Sequence, residues 1–152
     1  MELLEFKKRL FDHVLQELDA KIREYSIVLS DISKEKASET KSVMGDKHET
    51  SRVMMQREED QLADRIKLIQ NQRSQLAHLH SAKRCPKVET GSVVWTSTGI
   101  YCISVPFGKV NFNKEMIYCM SSMAPLAISL LGKKNGDKIF FNQREIEIRA
   151  IC

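Results

Sequence analysis

Apolar residues recur along the first part of the chain at Phe11, Leu15, Leu18, Ile22, Tyr25, Leu29 and Ile32. The steps alternate between four and three, which predicts a helix with one narrow apolar seam. A second seam runs through Met55, Leu62, Ile66, Ile69 and Leu76, with Glu59 and Arg73 in two of its positions. Neither Gly nor Pro occurs in residues 1–44 or 46–85. Set antiparallel, the seams pair Ile32 with Met55, Leu29 with Glu59, Tyr25 with Leu62, Ile22 with Ile66, Leu18 with Ile69, Leu15 with Arg73 and Phe11 with Leu76. Paired residue numbers total 87 or 88 throughout, the mark of a helical hairpin, and half of that total places the bend at Val43–Met44. Gly45 lies beside this bend, where freedom to take positive φ is useful. Each arm from Phe11 to the bend is about 48 Å long at a rise of ~1.5 Å per residue.

Beyond Arg84-Cys85-Pro86 the period changes, because a residue before proline is pushed out of the α region. Ser92–Thr96 and Ile100–Val105 are strand-like around a Thr98-Gly99 turn, and Lys114–Cys119 is a third candidate strand. Pro125 suits the first position of a short helix over Leu126–Leu131, closed by Gly132. After a turn at Gly136-Asp137, Lys138–Phe141 and Arg144–Ile151 read as a hairpin about Asn142-Gln143. Within the last of these, Glu145, Glu147 and Arg149 alternate with Ile146, Ile148 and Ala150, a strand with one wet face. The fold class is therefore α+β: a long antiparallel helical hairpin, or coiled coil, over residues 1–84 with its tip near 43–50, then a small α+β domain over residues 85–152. Trp95 and the phenylalanines are the simplest candidates for its core.

Charge refines this picture. The chain has 24 Lys and Arg against 20 Asp and Glu, a net charge of +4. Residues 1–84 carry 16 basic and 15 acidic side chains, and residues 85–152 carry 8 and 5. Neither part has the excess of a dedicated nucleic-acid binder; mixed charge suits the solvated faces of a hairpin. The four cysteines, Cys85, Cys102, Cys119 and Cys152, form no CxxC pair. The charged start Met1-Glu2-Leu3-Leu4-Glu5-Phe6-Lys7 is unlike a signal peptide, and no apolar run approaches the ~18 residues of a membrane span. These features predict a cytoplasmic protein with reduced thiols and no membrane association.

Candidate chemistry is concentrated at the tip. Asp46 and Glu49 follow Gly45, three residues apart. As N-cap and N3 residues they would form a capping box, favoured by the helix dipole. Positions three apart also share a helix face, so two carboxylates could complete the coordination of a divalent cation held mainly elsewhere. Both readings stand on the sequence. His48 reads as a polar turn residue. His78, His80 and Cys85 near the junction match no familiar zinc spacing. No nucleophile–base pair and no phosphate loop is present, so an enzyme acting alone is not expected.

Two motifs resemble those of the Gre family of bacterial transcript-cleavage factors, and the resemblance extends over essentially the whole chain. Gly45-Asp46-Lys47-His48-Glu49, followed by Arg57-Glu58, is similar to the family's G-D-x-x-E-N…R-E stretch. Met123-Ala124-Pro125-Leu126-Ala127-Ile128-Ser129-Leu130-Leu131-Gly132-Lys133-Lys134-Asn135-Gly136-Asp137 is similar to its S-P-L-x-x-x-L-x-G-K-x-x-G-D segment. The departures are Lys47, Thr50, Ser51 and Arg52 in the first motif and Ala124 in the second. The resemblance implies an FKBP-like second domain that docks on RNA polymerase at its secondary channel, with Pro125, Leu126, Gly132 and Lys133 as motif-level partner-binding positions. It implies that the hairpin threads the channel and that Asp46 and Glu49 act in the polymerase active centre. There they would help hold the second catalytic Mg²⁺ and orient a water, so that the polymerase itself hydrolyses backtracked RNA. The expected protein is a monomer without a tightly bound cofactor, meeting nascent RNA only indirectly. A non-cleaving channel binder that inhibits polymerase, and a coiled-coil structural adaptor with no link to polymerase, are the alternatives.

Overall fold

A computed structural model describes residues 2–39, 46–79 and 82–152, without the side chains of residues 39 and 46–48. The bend at Val43–Met44, together with Gly45 and His80, lies outside the described residues. Two long helices, α1 (Leu3–Glu39) and α2 (Asp46–Leu79), precede β1 (Val93–Thr96), β2 (Ile100–Ser104), β3 (Gly108–Phe112), β4 (Glu115–Ser121), α3 (Pro125–Leu130), β5 (Lys138–Phe141) and β6 (Arg144–Ile151). The architecture is α+β. By internal contact the chain divides into two compact units. One is Met1–Gln16 with Ser74–Cys152, and the other is Glu17–Arg73.

The second unit is the two-helix part. From residue 20 to residue 69, its less exposed described positions are Ile22, Tyr25, Leu29, Ile32 and Lys36 on α1 and Ser51, Met55, Glu59, Leu62, Ile66 and Ile69 on α2. Those positions follow the predicted heptads, and the positions between them are exposed. Leu18 and Ile69, predicted partners, are buried at 1% and 7% exposure. Cross-helix contacts join Asp19 to Arg73, Tyr25 to Arg65, Ser33 to Glu59 and Lys36 to Gln56. Rising numbers on α1 meet falling numbers on α2, so the pair is antiparallel.

Polar seam residues depart from the simple pairing in one consistent way. Glu59 is expected opposite Leu29 but accepts a hydrogen bond from Ser33 Oγ at 3.3 Å. Arg73 is expected opposite Leu15 but binds both oxygens of Asp19, the second at 3.3 Å. Each partner lies four residues further along α1. The Cα–Cβ bond of a helix leans toward its N-terminus, and in this antiparallel pair the N-terminal direction of α2 runs toward higher numbers on α1. A long polar side chain leaving an apolar seam therefore finds its partner one turn on.

The first unit is built on a six-stranded sheet of order β3-β4-β2-β1-β6-β5. All neighbours are antiparallel except β2 and β4, which pair in parallel from Ile100↔Ile117 to Ser104↔Ser121. The register of β1 against β6 shifts between Trp95 and Thr96. Two hairpin turns share one chemistry: Asn113-Lys114 and Asn142-Gln143 all have positive φ. This is the type I′ geometry that matches the twist of adjoining strands, and Asn tolerates it well. β3 is an element the sequence reading omits, since Gly108, Lys109 and Asn111 are poor strand formers. It forms because the Asn113-Lys114 turn folds it back on β4, giving Val110 an apolar partner in Ile117.

One sheet face packs with α3. Val94, Ile103, Ile146 and Ile148 join Ala127, Leu130 and Val88 in a buried cluster. The ends of the long helices supply further core to this unit: Phe6, Leu10, Phe11, Val14 and Leu76 are all at or below 5% exposure. The Phe6 ring lies 5.4 Å from Trp95 of β1 and 5.3 Å from Phe112 of β3, meeting strands on both sides of the β4–β2 pair. Phe140 corrects the expectation that the phenylalanines are core, being 74% exposed on the edge strand β5.

Candidate functional site

Helix α2 opens at Asp46, and Glu49 follows three residues along it. No Gly or Pro interrupts α2, and a run of Asp, Lys, His and Glu in the first turn places acids where the dipole favours them. The side chain of Asp46 lies outside the described residues, and with it the capping bond that the sequence allows. The side chain of Glu49 is exposed. It lines two shallow hollows, one with Lys36, Arg52, Val53 and Gln56 and the other with Thr50, Val53, Met54 and Arg57.

A carboxylate in contact with water offers hard oxygen donors, the type that suits Mg²⁺. Among the described residues no group of three or more His, Cys, Asp and Glu side chains could hold a metal ion. The cations Lys36 and Arg52 line the same hollow as Glu49. Further along, Lys36 bonds to Gln56 and lies 3.6 Å from Glu59, while the Gln56 amide donates to Asp60 at 3.0 Å. The exposed apolar side chains Val53 and Met54 stand beside Glu49, at 52% and 59% exposure. The heptad reading passes over them because they fall outside the seam.

The second motif is well placed to shape the fold. Pro125 opens α3, and Ala124 occupies the N-cap with extended backbone but no side-chain capping bond. Leu126 is half-buried against the α3 cluster. Gly132 adopts a φ of +82°, which a side chain would strain. Its N–H donates to the Val88 carbonyl at 2.8 Å, and the Val88 N–H donates to the Lys133 carbonyl at 2.9 Å. Gly132 and Lys133 thus pin the incoming strand of chain with their backbones, and the Lys133 side chain stays exposed. Asp46 and Glu49 belong to one compact unit, and Pro125, Leu126, Gly132 and Lys133 to the other.

His78 and Cys85 both line a cavity of about 210 Å³, together with Lys7, Lys83, Glu89 and Thr90. The thiol of Cys85 and then the ammonium of Lys83 donate to the Glu89 carboxylate and hold its pKa below the usual range. All four cysteines are free and buried. Cys102 and Cys119 are direct neighbours on β2 and β4. The hydrogen bond between them, with burial, pushes the Cys119 thiol far up. It therefore stays protonated. No described helix is long and apolar enough to cross a membrane.

Compared with family models, with curated proteins and with solved structures, the chain matches none of them.

Proposed function

We propose that this chain binds RNA polymerase in the cytoplasm and regulates elongation by stimulating cleavage of backtracked RNA. The observation that carries the reading is the placement of the acids: α2 begins at Asp46, and Glu49 follows in its first turn with its carboxylate exposed. An acid so placed is open to a partner. The resemblance of both motifs to the Gre family, with an FKBP-like docking domain, supplies the identity of that partner. On this reading Asp46 and Glu49 add oxygen ligands to a Mg²⁺ that the polymerase already holds. Such an ion stabilises charge on attacking and leaving oxygens in phosphoryl chemistry. The chain itself needs no resident cofactor for this role; the stiffness of the paired helices positions the carboxylates.

A second reading is favoured by the hollow around Glu49. Lys36 and Arg52 lie in it and Lys47 is nearby in sequence, so the carboxylate has cationic neighbours that oppose metal binding. This reading is a channel binder that slows nucleotide addition without cleavage.

One experiment separates these. The protein is added to stalled polymerase–DNA–RNA complexes, alone or as the Asp46→Ala, Glu49→Ala double variant. Cleavage stimulation predicts shortened transcripts with the native chain and none with the variant, while both bind polymerase equally. Shortening that persists in the variant removes the metal-delivery role. Slower addition with no shortening establishes the inhibitor. Absence of polymerase binding leaves a structural adaptor.

A further inference from the structure

Lys7 is 2% exposed, yet it is a lysine. Buried ammonium groups ordinarily answer to a carboxylate. Among the described residues, Lys7 Nζ instead donates to the Lys83 carbonyl at 2.9 Å and to Cys85 Sγ at 3.6 Å. The Cys85 thiol in turn donates to Glu89 Oε1 at 3.3 Å, and Lys83 lies 3.2 Å from the same oxygen. An amine, a thiol and a base therefore stand in line, and Lys7, Cys85 and Glu89 all line the same cavity of about 210 Å³. Cys102, Cys119 and Cys152 are buried too but do not line this cavity.

We infer that Lys7 and Cys85 form a reversible covalent bridge, with one oxygen atom between nitrogen and sulfur, when the protein meets dioxygen. Access governs in part which cysteine is oxidised, and here the cavity gives access to Cys85, whose thiol is oriented by its hydrogen bond to Glu89. The step balances as follows. One S–H and two N–H bonds break, and one S–O and one O–N bond form. Dioxygen takes four electrons, two from sulfur and two from nitrogen. One oxygen atom stays in the bridge, and the other leaves as water with two of the three hydrogens. The third hydrogen leaves as a proton to solvent through the cavity. A bridging oxygen spans most of the present gap between Nζ and Sγ, whereas a direct sulfur–nitrogen bond would require far more closure of α1 on residue 85.

Residues 7 and 85 are separated by 78 positions. The bridge would close a loop containing nearly all of α1 and all of α2, and closing so long a loop restricts the unfolded chain strongly.

The test uses the full chain in air-saturated buffer, followed by intact mass and peptide mapping. The expected product is heavier by one oxygen atom less two hydrogens. It has lost one free thiol and one free amine, contains a linked peptide pair carrying Lys7 and Cys85, and reverts with a thiol reductant. Its Tm is raised by several degrees, and reduction lowers it again. Cys85→Ser and Lys7→Arg should each abolish the mass change. The map of the native chain alone decides the matter if either variant misfolds. Unchanged mass, addition of whole oxygen atoms to Cys85 with Lys7 free, or the same mass change on another cysteine each overturns the inference.

Discussion

The two compact units hold together by different means. In Glu17–Arg73 each helix hides one residue in every three or four, and most side chains around the seam face water. In the sheet unit both faces of β1 are covered, Val94 by the α3 cluster and Trp95 by Phe6. A narrow seam tolerates Glu59, Arg73 and Lys36 because their polar ends can leave it. A two-sided core has no such exit, and its one buried lysine needs a carbonyl and a thiol to receive it. The paired helices can thus change most of their surface without losing the seam, a freedom that the proposed role of Asp46 and Glu49 would use.

Substitutions can break this contrast, or sharpen it. The largest effect is expected from Ile148→Ala in the sheet core, where 0% exposure leaves no route for collapse. It should cost about 3–4 kcal/mol by chemical denaturation. Ile22→Ala in the half-buried seam should cost about 1–2 kcal/mol, since water already reaches part of the side chain. Equal costs at the two sites would erase the distinction between the units. Ala124→Ser adds the missing capping hydroxyl at α3 and should raise stability by about 1 kcal/mol.

Smaller still is the acid response of Glu89. Its carboxylate is held below the ordinary value of 4.5, first by the hydrogen bond from Cys85 and then by that from Lys83. A depressed folded-state pKa stabilises the fold above the unfolded value, and the contribution disappears as pH falls through the folded one. Glu89→Gln should therefore flatten the loss of Tm below about pH 4.5, relative to the native chain. At neutral pH and high salt, Asp19→Asn should change Tm only slightly, because the Asp19–Arg73 pair is partly exposed and screened.

Much of this contrast was legible in the residues. The heptads located the seam position by position, Pro125 opened α3, and Asn142-Gln143 turned the last hairpin. Three features escaped for physical reasons. β3 has too few strand-forming residues to announce itself, and depends on a turn and a partner strand. The apolar stripe Phe6, Leu10 and Val14 runs beside the seam through Phe11 and serves the sheet unit, a division that helix periodicity cannot express. Lys7 reads as a solvated residue by type, and only tertiary packing buries it. At the candidate site, the sequence places two acids three apart, and the structure puts both in the first turn of α2 with Glu49 exposed. The nearness of Lys36 to Glu49 has no sequence signal, because Lys36 comes from the other helix.

The last strand, β6, lies inside the sheet between β1 and β5. A ribosome delivering this chain would release both long helices well before β6 exists. Their pairing needs only residues already made, whereas the sheet stays split until the final stretch arrives. During that interval Phe6, Leu10 and Trp95 wait without their finished surroundings, so apolar surface of the sheet unit stays open to solvent until β6 is made.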